Sequence, residues 1–474
     1  MWRRKERQGA RRRNSRSLDE ERRPPHALLD LALLRASVAG PLRPFTSIGP
    51  ADHGSQVTLA GWVEDLRNLG GIAFLILRQR AGTFQATVKK KANEDLFSRA
   101  SKIVRESVVA VHGTVQRNPD VRNGWELVAV SIDVLSPAAA PLPLPVADKV
   151  GAAMDTRFDN RTLDLRKPER RAIFHIRSLV AAALRSYLER HEFIEVHTPK
   201  LAGAGAEGGA TLFQTDYFGR RAYLSQSPQL YKQMLMSTGL DRIYEIAPAF
   251  RAEPSDTVRH VTEFTSFDGE VAWIERQEDF FPFLEGAVAH AIDRVRSEAK
   301  ADLELLKTAP RAVRVPFKQL PYAEALEVLR GHDKRLRDGD DIDTESEKIL
   351  GKTLADEGHE IFFLTRYPTA IKPFYVMADP AEPESSFSFD LEYKGDEMAS
   401  GGQREHRYDL LMSKMKEKGL NPENFEFYLK AFRHGMPPHG GWGFGLDRFV
   451  QKILDLPNIR EAILFPRDRT RLVP

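Results

Sequence analysis

The chain has 474 residues, 42% hydrophobic and 29% charged, which allows two or three domains with cores of their own and excludes fibrous or wholly disordered classes. It contains no cysteine, which excludes disulfides, thiolate metal sites and a cysteine nucleophile and points to the cytoplasm as the expected compartment. The formal charge of +3 is too small to argue for a nucleic-acid partner, and no run of about 18 apolar residues suggests a membrane span.

Charge is unevenly placed. Residues 1–24 hold ten Arg or Lys against four acids, a net of +6, so the remaining body is slightly acidic. Such an arm can assist encounter with phosphates, although its composition alone reads first as a disordered leader. Leu29–Leu34 is too short and is broken by Asp30, so a secretory signal is not expected. Residues 1–50 are therefore read as a basic, disordered N-terminal extension.

Five β-like runs follow: Val57–Val63, Ile72–Arg78, Thr83–Val88, Val108–Val115 and Leu127–Leu135. Separated by Gly-rich and polar turns, with an amphipathic stretch Glu94–Arg105 between the third and fourth, they predict a five-stranded barrel of the OB type over 51–137. Pro137, Pro141, Pro143 and Pro145 then favour an extended, semi-rigid connection, so 138–160 is read as a Pro-rich linker or hinge. The remainder, 161–474, mixes helices and strands in an irregular order, beginning with a helix at Arg170–His191 and a strand at Phe193–Val196. That order predicts α+β rather than a doubly wound parallel sheet. There is neither a GxxxxGK[ST] loop nor a strand-linked GxGxxG, so nucleotide use has to rest on other residues. The charged stretch Lys334–Lys352 reads as a solvated helix or loop and not as a site.

Three separated segments carry recognisable chemistry. Phe193-Ile-Glu-Val-His-Thr-Pro199 ends a helix–strand unit in proline. Phe250-Arg-Ala-Glu253 with Arg259-His260 offers a planar cation able to make paired bonds to a phosphate, and a carboxylate close by; alone, it would read as a surface ion pair. Gly441-Trp-Gly-Phe-Gly445-Leu-Asp447-Arg448 lets backbone approach a ligand and ends in another fixed cation. In this order and spacing the three resemble motifs 1, 2 and 3 of the class II aminoacyl-tRNA synthetases. With the barrel, they resemble the Asp, Asn and Lys group in particular. The resemblance implies an antiparallel catalytic sheet flanked by helices, ATP as substrate with Mg2+, a tRNA partner, a homodimer formed around motif 1, and no membrane.

Ser225-Gln-Ser227-Pro228-Gln229-Leu-Tyr-Lys232-Gln resembles the aspartyl-tRNA synthetases most closely. A buried side-chain carboxylate needs cations, and Lys232 with Arg404 in Ser400-Gly-Gly-Gln-Arg404 would supply them while leaving a neutral asparagine side chain badly matched. By the same resemblance, Glu207, Ser227, Gln229, Lys232, Asp268 and Arg404 bind L-aspartate, with Asp268 toward the ammonium and Glu207 on a closing loop. Arg251, Glu253, Arg259, His260, Phe264, Glu397 and Arg448 bind ATP, Arg251 and Arg448 are catalytic, and Glu397 with Ser400 holds the metal. Arg67, Phe74 and Gln85 read the anticodon, Phe74 by stacking an unpaired base; as plain alternation, Phe74 could equally be barrel core.

Three positions depart from the family's usual pattern. Gly402 stands where alanine is usual, Asp447 where glutamate is usual, and Glu64 where a larger or more basic residue accompanies the choice of tRNA. The acceptor is thus expected to be tRNA(Asp), with tRNA(Asn) left open as a second. Two rival functions stay alongside: an asparaginyl-tRNA synthetase, against which Lys232 argues, and a paralogue that delivers its adenylate elsewhere. A nucleic-acid-binding module on an inactive body is disfavoured by Arg251, Glu397, Arg404 and Arg448.

Overall fold

A computed structural model of the chain describes residues 42–80, 82–121, 123–146, 151–203, 211–253, 257–334 and 336–474. It divides into two compact units, one ending at residue 149 and the other beginning at 150.

In the first unit, strands Gln56–Leu69, Ile72–Gln79, Gly82–Lys89, Trp125–Ser136 and Val108–Arg117 pair in that order, and the last pairs back onto the first to close a five-stranded barrel. Alternation drives this closure: Leu59, Val63, Ala73, Leu75, Leu77, Phe84, Val109, Val111 and Leu127 fill the interior, while the residues between them face outward. The first strand runs six residues past the expected end at Val63. A bulge between Val63 and Asp65 resets the alternation, and Gly70 and Gly71, both at positive φ, turn the chain into a hairpin. The polar sequence from Glu64 to Asn68 hid this continuation. The expected 1–50 extension also needs correction, because Leu42–Arg43 pairs with the first barrel strand and Phe45 is buried 5.6 Å from the Phe84 ring. The earlier part of that extension lies outside the described residues. The helix Glu94–Ala100 is shorter than expected; Asn93 caps it by accepting from the Leu96 amide.

In the second unit, the expected linker gives way by Met154, where the helix Met154–Asp159 begins. Its Arg157 is buried between Asp164 and Glu461, with guanidinium bonds of 2.6 Å to both Glu461 oxygens. The long helix is Pro168–Arg190, entered by proline at its first turn. Ile173, Ile176, Val180, Ala183, Leu184 and Leu188 form one apolar stripe at helical spacing, packed against helix Phe281–Glu298. Gly286 lets the two helices meet, since a Cβ there would lie 1.8 Å from the Tyr187 hydroxyl oxygen.

These helices belong to the core beneath an eight-stranded sheet. Its order is Lys318–Pro321, Ile361–Thr365, Ser388–Tyr393, Glu397–Gln403, His439–Gly445, Glu263–Ala272, Arg242–Phe250 and Ile194–Glu195. The six central strands are antiparallel, as expected, but the outermost strand at each edge pairs parallel, so the sheet is mixed. The reason at one edge is the connection: Lys318–Pro321 reaches Ile361–Thr365 through two helices, a crossover that returns the chain in the same direction. One of those helices, Thr344–Asp356, occupies part of the stretch expected to be merely solvated, and it buries Ser346 and Leu350. No described helix is long and apolar enough to cross a membrane.

Candidate active site

The centre of the sheet is unusually poor in side chains. Strand His439–Gly445 alternates glycines with Trp442 and Phe444, and a Cβ on Gly269 of the adjacent strand would sit 2.2 Å from the Trp442 ring. Absence of side chains on one face leaves a cavity of about 380 Å³. Gly402, the departure from alanine, has a local cause: a Cβ there would come 2.3 Å from the Phe387 carbonyl oxygen.

Twelve of the expected site residues line this cavity. At one end stand Arg251, Glu253, Arg259, His260, Phe264 and Arg448; at the other, Ser227, Gln229, Asp268 and Arg404, with Glu397 and Ser400 also on the wall. Arg251 leaves the hairpin strand Arg242–Phe250 and lies 5.2 Å from the Phe264 ring centroid, exposed and available to a ligand. Arg259 is held by Glu347 at 2.8 Å and also bonds Asp396 and Thr344, so the supposedly solvated helix contributes an acid to the site. His260 is tied by Nδ1 to Thr257 Oγ1 at 2.7 Å; burial and the Arg448 charge push its pKa down.

Arg448 lies in the first turn of helix Leu446–Ile453, where its Nη1 donates to the Glu397 carbonyl at 2.6 Å and its buried Nε has no partner among the described residues. Burial lowers its pKa; Glu397 opposes that, while Arg259 and Arg251 add to it. Three mutually repelling cations around one hollow are suited to a polyanion. Asp447, in place of the usual glutamate, accepts from the Thr265 amide at 2.7 Å and from Arg177, so it clamps helix to strand.

The opposite end is a buried charge quartet. Lys232 stands behind the wall rather than on it, donating to Asp268 Oδ2 at 3.0 Å and to the Trp442 carbonyl at 2.7 Å, with Glu270 3.4 Å away. Arg404 makes two bonds to Glu270, of 2.9 and 3.3 Å. Burial by itself would raise the Glu270 carboxyl, but Arg404 and Lys232 outweigh it and hold the pKa below its ordinary value. Two cations and two acids cancel, so the end is neutral overall yet divided into positive and negative faces.

Glu397 is flanked by acids that the sequence reading did not single out. Burial and the Asp390 charge push its carboxyl up, against Arg448. Asp390 pairs with Ser400 across the strands and Glu392 with Glu397, which places all four on one face. Among the described residues Glu392 Oε2 is buried without a hydrogen-bond partner, and Lys372 takes one Asp390 oxygen at 2.9 Å. The D-x-E spacing on a strand was the available signal. Among the described residues no group of three or more His, Cys, Asp or Glu forms a closed metal site. The hard oxygens of Glu397, Ser400 and Asp390 fit a magnesium ion that keeps waters and substrate oxygens. Glu207 lies outside the described residues.

On the barrel, Arg67 and Phe74 are direct cross-strand neighbours, and Gln85 pairs with Ile76, two residues along. All three therefore share the outer face. Phe74 is half-buried and takes no part in the interior cluster, which decides against barrel core. Arg67 is exposed beside Asp65, and Gln85 donates to Glu126 at 3.0 Å. Glu64 is half-buried, 3.5 Å from Arg78, which is itself paired with Glu106.

His439, fully buried near Glu270, Arg404 and His406, has its pKa pulled by burial down to about 4 from 6.5. The folded value is the lower one, so the unfolded chain binds the extra proton first as pH falls. Stability is expected to be whole above pH 6.5 and to decline by about 3 kcal/mol toward pH 4 from this group. Urea unfolding across that range should show a shallower decline for His439→Gln.

The model of tRNA synthetases class II (D, K and N) matches residues 153–469, and that of the OB-fold nucleic acid binding domain matches 57–135. The chain is 51% identical over 424 residues to an aspartate–tRNA(Asp) ligase of Thermococcus kodakarensis, covering 89% of this chain and 97% of that one. It is 48% identical over 428 residues to an aspartate–tRNA(Asp/Asn) ligase of Methanopyrus kandleri, covering 90% and 98%. Among solved structures, asparaginyl-tRNA synthetase from Pyrococcus horikoshii complexed with asparaginyl-adenylate matches with a TM-score of 0.84 at 33% identity, over 91% of this chain and 99% of that one. Aspartyl-tRNA synthetase from Entamoeba histolytica matches at 0.82 and 32%, over 92% and 93%. With its second and third motifs gathered around one cavity and two thirds of its length matched by a single family model, the chain belongs to the class II tRNA synthetases of the D, K and N family, enzymes that use ATP.

Proposed function

We propose that this protein is an aspartate–tRNA ligase, which joins L-aspartate to ATP as aspartyl-adenylate and passes the aspartyl group to the 3′ end of tRNA(Asp). The observation that carries this reading over an asparaginyl enzyme is the buried quartet of Lys232, Arg404, Asp268 and Glu270. Relatives carrying aspartate in their names at 48–51% identity support it, against 33% for the asparaginyl structure.

In this reading, the side-chain carboxylate of aspartate meets Arg404 and the Lys232 side of the quartet, and the ammonium meets Asp268. A neutral amide would leave part of that charge unmatched, at a cost of several kcal/mol. ATP lies along Arg251, Phe264, His260 and Arg448, with Glu253 at the base and Arg259 toward the outer phosphates. The α-carboxylate of aspartate attacks the α-phosphorus, the bond to the bridging oxygen breaks, and diphosphate leaves. A terminal ribose hydroxyl of the tRNA then attacks the acyl carbon and AMP leaves. Arg251 holds the α-phosphate and acyl oxygen together through both steps; alignment does the catalysis, and no side-chain nucleophile is needed. Glu397 and Ser400 would hold Mg2+, aided by Asp390, and the ion would offset charge on the phosphates.

The barrel takes the anticodon, with Phe74 stacking one base and Arg67 and Gln85 meeting base edges. Replacement of Phe74 by Ala is expected to raise the KM for tRNA about 10- to 100-fold while diphosphate exchange, which needs no tRNA, stays unchanged. The chain works in the cytoplasm as a homodimer joined around the motif 1 strand Ile194–Glu195, whose Ile194 is exposed at the sheet edge. Light scattering would give its mass.

The deciding experiment is acylation of purified tRNA(Asp) and tRNA(Asn) with aspartate and asparagine in parallel. Aspartate on tRNA(Asp) is the expected result. Aspartate on tRNA(Asn) as well would extend the range, and equal use of asparagine would overturn the assignment. Adenylate formation with neither tRNA charged would point to a diverted paralogue.

A further inference from the structure

A chain of buried amides runs from the third motif to the amino-acid end of the cavity, and its polarity is fixed at one end. His439 Nδ1 lies 2.8 Å from the Pro437 carbonyl oxygen, which can only accept, so the proton is on Nδ1. Burial keeps the ring neutral at physiological pH, with its pKa pulled down to about 4. Nε2 is then an acceptor, and the group it faces at 3.2 Å must be the NH2 of Gln233. That places Gln233 Oε1 on the other side, where it accepts from the Tyr428 hydroxyl at 3.2 Å and from Gln229 Nε2 at 3.0 Å. Gln229 lines the cavity. With its nitrogen turned inward, its Oε1 is the amide atom left for a ligand.

We propose that His439 is a positioning residue which, acting through Gln233, holds the Gln229 amide with its oxygen toward the substrate's ammonium group. This rests on the aspartate reading above and deepens it. Asp268 supplies the charge for the ammonium, whereas the relay supplies an acceptor of fixed direction beside it. Nothing in Gln229 alone chooses between its two ends. A reversed amide would turn N–H toward N–H3+ and lose one bond while adding a repulsion. Gln233, Tyr428 and His439 are fully buried and Gln229 nearly so, which leaves little solvent at hand to correct a wrong orientation. The same buried chain could serve only to fill space, and the test must separate these roles.

Steady-state diphosphate exchange with the purified full chain provides it, using L-aspartate as substrate and succinate, which lacks the ammonium, as competitive inhibitor. His439→Asn keeps the donor to Pro437 and deletes the Nε2 acceptor. It is expected to raise the KM for aspartate about tenfold, equal to about 1.4 kcal/mol, with kcat and the KM for ATP within twofold and the succinate Ki unchanged. His439→Gln, which can again present an acceptor to Gln233, is expected to restore the aspartate KM to within about threefold. Gln233→Met breaks the chain in the middle and carries the same expectation as His439→Asn, should that variant fail to fold. An unchanged aspartate KM in His439→Asn or Gln233→Met would overturn the proposal. So would a succinate Ki that rises in parallel, because general distortion of the pocket weakens both ligands. Wild-type protein without aspartate-dependent exchange would instead remove the functional reading itself; active wild type with indifferent variants removes only the relay.

Discussion

Lys232→Ala is expected to abolish measurable aspartate-dependent diphosphate exchange. The ammonium is buried and satisfied by Asp268, Glu270 and a backbone carbonyl. Removing it leaves two acids facing one guanidinium, and the site becomes negative where a carboxylate has to enter. Repulsion in place of attraction, in a poorly hydrated pocket, is worth several kcal/mol and so at least a thousandfold in kcat/KM. The same loss should lower folding stability by about 3–5 kcal/mol, read as a reduced urea midpoint. Lys232→Met combined with Asp268→Asn should recover much of that stability, since the orphaned charge is gone, and recover no activity. Full exchange activity in Lys232→Ala would sink the specificity argument.

Arg448→Ala should behave oppositely on the two scales. Exchange is expected to fall about 10²- to 10³-fold, the effect typical of one lost donor to a developing charge. Stability of the ligand-free protein should change little or rise. The guanidinium is desolvated, repelled by Arg251 and Arg259, and has one nitrogen without a partner among the described residues, which offsets its bond to the Glu397 carbonyl and the attraction of the Glu397 carboxylate. Thermal melts with and without ATP would check this: the shift that ATP produces in the wild type should be largely absent in the variant. A large loss of stability without ligand would mean that Arg448 is chiefly structural.

Much of the site was legible in the sequence because its chemistry is local. Arg251 with Glu253, the Ser227–Lys232 run and the Gly441–Arg448 run each gather their chemistry-bearing residues within ten positions of sequence, and such short segments survive any error about the rest. Barrel strands were legible where alternation was clean and lost where a bulge shifted it, as at Val63. What could not be read depended on pairing over long separations. Glu347 reaches Arg259 from 88 residues away on a helix with an ordinary charged surface. Asp390 and Glu392 become part of the site only through their register with Ser400 and Glu397. Lys232 was expected to face the substrate and stands behind Asp268 instead: it shares the buried face of its helix with Gln229, but its ammonium is taken by Asp268 and the Trp442 carbonyl while Gln229 reaches the cavity.

The tether of Arg259 to Glu347 and Asp396 has a thermodynamic consequence. A nucleotide phosphate that takes this guanidinium displaces carboxylates already bound to it, so one anion is exchanged for another and no bare cation is neutralised. Fewer counterions are redistributed in such an exchange than the number of arginines suggests. ATP affinity should consequently depend less steeply on ionic strength than three free guanidinium groups would give, and the freed acids, Glu347 on helix Thr344–Asp356 and Asp396, become the partners that recapture Arg259 when diphosphate departs.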